Sequence, residues 1–289
     1  MYNLSGKINL VSKFNGLNLS LYHYDTMIKV FINSSKFIFL YMEEMSVFEE
    51  RSKWYYEHFL PHISIDCVVF GFHANTLKVL LVKMKGQENW GLPGGFLGKE
   101  QNIDDAAKAI LKRRTGAEKV FLEQFKTFGE LNRSERSLEY MPEKIWFRQR
   151  FLSVGYYALV DYEQIVPVVD DISTACEWKD IEDLPTMMMD HGTIYEEALN
   201  IMRFQLNYKP IGFNLLPEEF TMPELQRLYE TILGKQLSRG NFQRKMLAYD
   251  IFIKHEKERK GGAHRSPILY SFDQERYNNA LKKGLKEAW

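Results

Sequence analysis

Gly95 and Gly116 frame a glycine-rich loop and a helix of the kind that could handle phosphate. Ile103, Ala106, Ala107, Ile110 and Leu111 recur at i, i+3, i+4, i+7 and i+8, an apolar stripe, with Asp104 and Asp105 in the first turn and Lys112, Arg113 and Arg114 in the last. Hydrolysis of a phosphoanhydride on such a frame needs divalent cations, and hard cations need oxygen ligands. The positions that would supply carboxylates hold Gln101, Ala109, Ile110, Arg113 and Arg114 instead. Two guanidiniums repel a metal ion, so no catalytic residue, metal ligand or cofactor is assigned.

The segment resembles the Nudix box, G-x5-E-x7-R-E-U-x-E-E-x-G-U with U aliphatic, when Gly95 and Gly116 are laid on its two glycines. Gln101 then stands for the first glutamate, Ala109 and Ile110 for the Arg-Glu pair, and Arg113 and Arg114 for the last two glutamates. The cations read first as helix-dipole complementarity on a solvated face, with anion binding as the alternative. A metal site rebuilt from Glu100, Asp104 and Asp105 would make the chain an active hydrolase of ADP-ribose-like compounds, the rival reading.

The elements around this helix read as strands. Ile65–Phe72 and Leu77–Val82 flank the turn signal His73-Ala74-Asn75-Thr76, and 119–130 and 150–160 are again β-rich. A strand near Ala175–Trp178 precedes a helix from about Thr193 to Asn207. Several strings resemble Nudix-related transcriptional regulators: Ile65–Phe72, Phe128-Gly129 with Arg133, Arg150 with Ser153–Val160, Trp178 with Leu184-Pro185, Asp190-His191, and Pro210–Pro217. The resemblance covers residues 60 to 280, favours the sugar-responsive, arabinose-type branch, and departs from the family at an insertion, Ser134–Phe147. It implies a ligand pocket containing Arg133, Arg150, Tyr156, Asp190 and His191. Arg133 and Arg150, as strand arginines in a half-buried sheet, need an anionic or hydroxyl-rich partner, which could also be an internal carboxylate.

The C-terminal region is readable from local chemistry. Thr221-Met222-Pro223-Glu224 is a capping box with proline in the first turn, Leu225, Leu228, Tyr229 and Ile232 form a core stripe, and Gly234 ends the helix. A second helix starts at Ser238, with Phe242, Met246 and Tyr249 on one face and Gly240, Asn241, Arg244 and Ala248 on the other. Small residues there admit close approach of a backbone while Asn241 and Arg244 reach base edges. Ile251–His255 and Pro267–Phe272 frame a cationic Gly-Gly turn, a wing for phosphate contact. The expected DNA-contacting residues are Arg239, Asn241, Arg244, Lys245, Lys257, Arg259, Lys260 and Arg265.

Composition fits more than one domain: 289 residues with 38 basic and 38 acidic side chains. Between 235 and 265 nine cations face three anions, a basic footprint in an otherwise acidic chain. Cys67 and Cys176 fit no metal or disulfide spacing and read as small buried hydrophobes. No run of 18 apolar residues exists, so no membrane span is expected. Residues 1–41 hold four lysines, one aspartate and no glutamate or arginine, and lack the order of a signal peptide; they read as an upstream extension with Met42 or Met45 as the natural start, disordered or loosely paired.

The expected fold is α+β: an N-terminal extension (1–59), a Nudix-like α/β/α sandwich (60–208), and a winged helix-turn-helix (209–289). The expected function is a cytoplasmic, homodimeric regulator that binds a double-stranded DNA operator. Its effector is a sugar such as a pentose, with an ADP-ribose-like nucleotide as second choice.

Overall fold

The computed structural model describes residues 35–117, 120–134, 138, 142–206, 209, 213–258 and 268–283. Helix α1 (Ser35–His58) runs directly into strand β1 (Phe59–His73). There follow β2 (Thr76–Met84), β3 (Trp90–Gly91), β4 (Gly94–Gly98), α2 (Ile103–Thr115), β5 (Phe121–Phe128), β6 (Leu152–Val160), β7 (Ser173–Asp180) and α3 (His191–Gln205).

β1 is the centre of the sheet. Its C-terminal half pairs antiparallel with β2, its N-terminal half antiparallel with β4, and its other edge parallel with β6. β5 closes the β6 edge, and β3 and β7 pair with β2. A strand covered on both faces must be apolar on both, and Ile65 and Cys67–Phe70 are all fully buried. Successive side chains alternate: Ile65, Cys67 and Val69 face α2 with Ala106, Ala107, Ile110 and Leu111, while Val68 and Phe70 face α3 with Ile194, Ala198 and Met202. The result is the expected α/β/α sandwich.

The second domain holds β8 (Phe220–Thr221), α4 (Met222–Leu233), α5 (Arg239–Ala248), β9 (Phe252–Glu258), β10 (Ile268–Phe272) and α6 (Gln274–Lys283). β10 lies between β8 and β9. The Thr221–Glu224 capping box forms with both of its reciprocal bonds, and Gly234 caps α4 at φ 65°, a left-handed conformation that glycine adopts at little cost.

The two domains share one core. Ile194, Ala198 and Met202 of α3 pack in the same cluster as Leu225, Leu228 and Ile232 of α4. Two hydrogen bonds fix the contact: Arg203 Nε donates to the Ile232 carbonyl (2.7 Å), and Thr231 Oγ1 donates to the Asn75 carbonyl (3.3 Å).

The expected disorder or loose pairing of residues 1–41 falls mostly outside the described residues, and the later part of the expected extension, Phe48–Phe59, is packed structure. Ser52 is buried and its Oγ accepts from the Trp146 amide (2.7 Å). Tyr55 and Tyr56 meet Trp146, and Tyr55 also meets Phe96 and Phe147. The insertion therefore has a partner, and the aromatic packing crosses residue 60. Both cysteines are buried, and burial pushes the Cys176 thiol up to about 11. Among the described residues no helix is long and apolar enough to cross a membrane.

Candidate functional site

α2 brings the altered signature positions together beside β4. Ile110 is buried against Gly95, where a Cβ would come within 3.0 Å of its Cδ1. Arg113 remains 49% exposed; its Nη2 donates to the Gly94 carbonyl (3.3 Å) and its Nε lies 3.9 Å from Asp170 Oδ2. A positive charge thus stands where the signature would place a carboxylate and a metal.

Arg114 corrects the expectation of a solvated cationic face. Its side chain is 2% exposed and pairs with Asp170 (2.8 Å) and the Ser173 hydroxyl (3.0 Å), fastening α2 to the loop before β7. Burial works to raise the Asp170 pKa, yet the Ser173 hydrogen bond and the Arg114 charge hold it below the usual carboxylate value. Glu100, Asp104 and Asp105 do not rebuild a metal site. Asp104 accepts from the Tyr156 hydroxyl (2.5 Å) and Asp105 from the Asn102 amide (3.1 Å), and no group of three His, Cys, Asp or Glu able to hold a metal occurs among the described residues.

Three of the five predicted pocket residues meet on the opposite face of the sheet. Arg133 donates through Nε and Nη2 to both oxygens of Asp190, each at 2.7 Å, and its Nη2 lies 3.6 Å from Asp66 Oδ2. His191 Nδ1 accepts from the Leu92 amide (2.8 Å), which leaves Nε2 to carry the proton, 3.8 Å from Asp66 Oδ1. Ser153 donates to Asp66. Asn132 (φ 60°) and Met189 (φ 51°) precede the paired residues in the left-handed conformation, as occurs where surroundings hold side chains to a set geometry.

Several expectations are corrected here. Arg133 lies in the turn after β5, not in a strand, and its anionic partner is Asp190, the internal carboxylate given as the alternative. Arg150 precedes β6, is exposed, and donates to the Gly129 carbonyl (3.0 Å) as a loop clip. Tyr156 points to the α2 face, away from Arg133, because odd and even positions of β6 face opposite layers. Burial, followed by its hydrogen bond to Asp104, raises its hydroxyl pKa. Asp190 occupies the N-cap of α3 without a side-chain capping bond, since its carboxylate is committed to Arg133. The sequence reading missed Asp66 and Ser153, although a charged residue inside the apolar run Ile65–Phe72 was a readable signal. It also missed Tyr55 and Tyr56, whose partners are distant in sequence.

On the second domain, α5 presents Arg239, Gly240, Asn241, Arg244 and Ala248 to solvent and buries Phe242 and Met246. Arg244 Nη2 donates to Asn241 Oδ1 (3.0 Å), holding the two polar groups together on that face. A Cβ on Gly240 would meet nothing within 4 Å, so no intramolecular contact requires glycine there. Lys245 is half-buried, Lys257 lies in β9, and Arg259, Lys260 and Arg265 fall outside the described residues.

Comparison with known proteins matches the same two units. Residues 60–198 match the NUDIX domain, and residues 212–272 match the NrtR DNA-binding winged helix domain. The ADPR responsive transcriptional repressor NtrR of Acinetobacter baylyi is 27% identical over 225 residues, 75% of this chain and 84% of that protein. The crystal structure of Shewanella oneidensis NrtR complexed with a 27mer DNA superposes with a TM-score of 0.65 at 25% identity, covering 78% of this chain and 99% of that one. A MutT/nudix family protein from Enterococcus faecalis shares the fold, with a TM-score of 0.57 at 23% identity over 80% of this chain and 98% of its own. α1 lies outside both matched spans. The fold is thus a Nudix-like domain followed by a C-terminal winged helix domain, the arrangement found in the Shewanella oneidensis NrtR structure.

Proposed function

We propose that this protein is a cytoplasmic transcriptional regulator that reads double-stranded DNA with α5 and answers to an ADP-ribose-like nucleotide bound by its Nudix domain. The observation that carries the reading is α5 itself: a small, polar face with no internal contact at Gly240, backed by a buried Phe242–Met246 face. A helix of that kind lets a duplex backbone come close while Asn241 and Arg244 reach bases. The sugar effector is set aside, because the related Acinetobacter baylyi repressor is ADPR responsive. Hydrolysis is not part of the function, since Gln101, Ile110, Arg113 and Arg114 supply no carboxylate ligands.

α3 is the element that couples the two domains. Its first turn carries Asp190 and His191 of the buried polar cluster, and its last turn carries Arg203, bonded to α4. Fifteen residues make a rod of about 22 Å at the helical rise. A ligand that changes the seating of its N-terminus moves α4 and with it α5. In a homodimer this alters the spacing of two recognition helices, and DNA affinity follows the spacing.

The test is selection of duplexes from random sequence by the full-length protein, followed by fluorescence anisotropy. Enrichment of a two-half-site sequence, bound tightly by the protein and poorly by Arg244→Ala, is the expected result. No enrichment and no measurable duplex binding, with or without ADP-ribose, would remove the regulator reading.

A further inference from the structure

The chain outside both matched spans reaches the altered signature. The last turns of α1 place Arg51 and Tyr55 four residues apart, hence on one face. Tyr55 meets Phe96 edge-on with ring centres 5.3 Å apart, and Phe147 at 4.8 Å. Phe96 follows Gly95, and Arg113 Nη2 lies 3.7 Å from the position a Cβ on Gly95 would take. Arg113 and three half-buried rings therefore meet at the end of α2, with Arg51 one helical turn before Tyr55 on α1.

We propose that α1 completes a metal-free diphosphate site, in which Arg51 and Arg113 bind the diphosphate of a nucleotide where a hydrolase would hold divalent cations, with Tyr55, Phe96 and Phe147 walling the site. The proposal rests on the nucleotide effector advanced above and adds how its charge is met. A guanidinium fork binds phosphate oxygens with two parallel bonds and needs no metal.

The local charges favour an anion. Among the described residues Asp170 pairs with Arg113 at 3.9 Å, but it is held closer by Arg114, at 2.8 Å, and by the Ser173 hydroxyl, at 2.6 Å. Asp171, on the same loop, is exposed. Among the described residues Arg113 donates one long hydrogen bond, to the Gly94 carbonyl (3.3 Å), which a phosphate oxygen outcompetes. Burial raises the Tyr55 hydroxyl pKa, the Arg51 and Arg113 charges work to lower it, and Asp171 and Asp170 add smaller raising contributions, so cations and carboxylates both act on the ring and the cations act more strongly.

The experiment is isothermal titration of the full-length protein with ADP-ribose, once in EDTA and once in magnesium, with inorganic pyrophosphate as a second probe. Wild-type affinity for ADP-ribose should agree within about twofold in the two buffers. Arg113→Ala and Arg51→Ala should each weaken it about tenfold or more, as loss of a charged hydrogen bond does. Their unliganded melting curves should stay close to the wild type, since Arg51 is exposed and Arg113, half-exposed, makes only weak contacts to the Gly94 carbonyl and Asp170 among the described residues. ADP-ribose binding that needs magnesium, or unchanged affinity in both variants, overturns the site. If ADP-ribose fails in both buffers but pyrophosphate binds in EDTA and Arg113→Ala abolishes it, the site stands and the ADP-ribose effector falls. If neither probe binds, the site falls.

Discussion

Arg133 and Asp190, 57 residues apart in sequence, form a two-pronged ion pair with both N–O distances at 2.7 Å, and the Arg133 side chain is only 3% exposed. The pair joins the loop after β5 to the first turn of α3, the helix whose other end is bonded to α4. Asp190 therefore both balances the Arg133 charge and fixes the N-terminal end of the helix whose C-terminal end meets α4.

Removing one partner of a buried pair leaves a charge without compensation, at a cost of about 3–5 kcal/mol. Arg133→Met should approach that loss in denaturant unfolding, because Asp66 and Asp190 would then repel each other without the cation between them. The double variant Arg133→Met with Asp190→Leu should recover most of the stability. A single variant within about 0.5 kcal/mol of wild type would show that the pair is open in solution.

Asp170 makes the pH dependence predictable in sign. Its folded-state pKa lies below the usual 3.8, held there against burial by the Ser173 hydroxyl and by Arg114. A depressed folded pKa means stability that is fully present above the unfolded value and is lost as pH falls through the folded one. Asp170→Asn should therefore be less stable than wild type at pH 7, and the difference should shrink as pH drops below about 4. Urea midpoints at pH 7, 4 and 3 check this, and a gap that widens with acid would contradict it.

Gly240 separates folding from binding. Its helical backbone and the empty space around its Cβ make Gly240→Ala stabilising by about 0.5–1 kcal/mol, because alanine loses less entropy in a helix. If α5 enters a major groove, the same methyl weakens duplex binding. A raised melting temperature with unchanged DNA affinity would place the bound backbone elsewhere.

With magnesium or manganese, hydrolysis of ADP-ribose, NADH and nucleoside triphosphates should remain at background. Turnover that disappears in Glu100→Gln would restore the enzyme reading.

What was legible in the sequence was local. The α2 stripe, the Thr221–Glu224 capping box, the α5 face and the strand at Ile65–Phe72 each depend on neighbours within a few residues, and each formed as expected. Arg114 was misread because helix position says nothing about Asp170, which arrives from 56 residues away. Tyr156 lies in the other layer from Arg133, Asp190 and His191, a separation that strand parity sets and that a list of pocket residues drawn from resemblance does not show. Arg150 was read as a strand residue when it precedes the strand. The packing of Tyr55 and Tyr56 against Trp146 was hidden for the same reason as the Arg133–Asp190 pair: long-range contacts leave no periodic trace.

The most direct test of the account is the effect of ADP-ribose on DNA affinity, measured by anisotropy on the duplex the full-length protein itself selects, at fixed salt. Coupling through α3 predicts a change of about tenfold in Kd at saturating ADP-ribose, within the usual range of allosteric coupling, and its loss in Arg203→Ala, which cuts the bond to the Ile232 carbonyl. An identical Kd with and without ADP-ribose, in a protein shown to bind both, would contradict it.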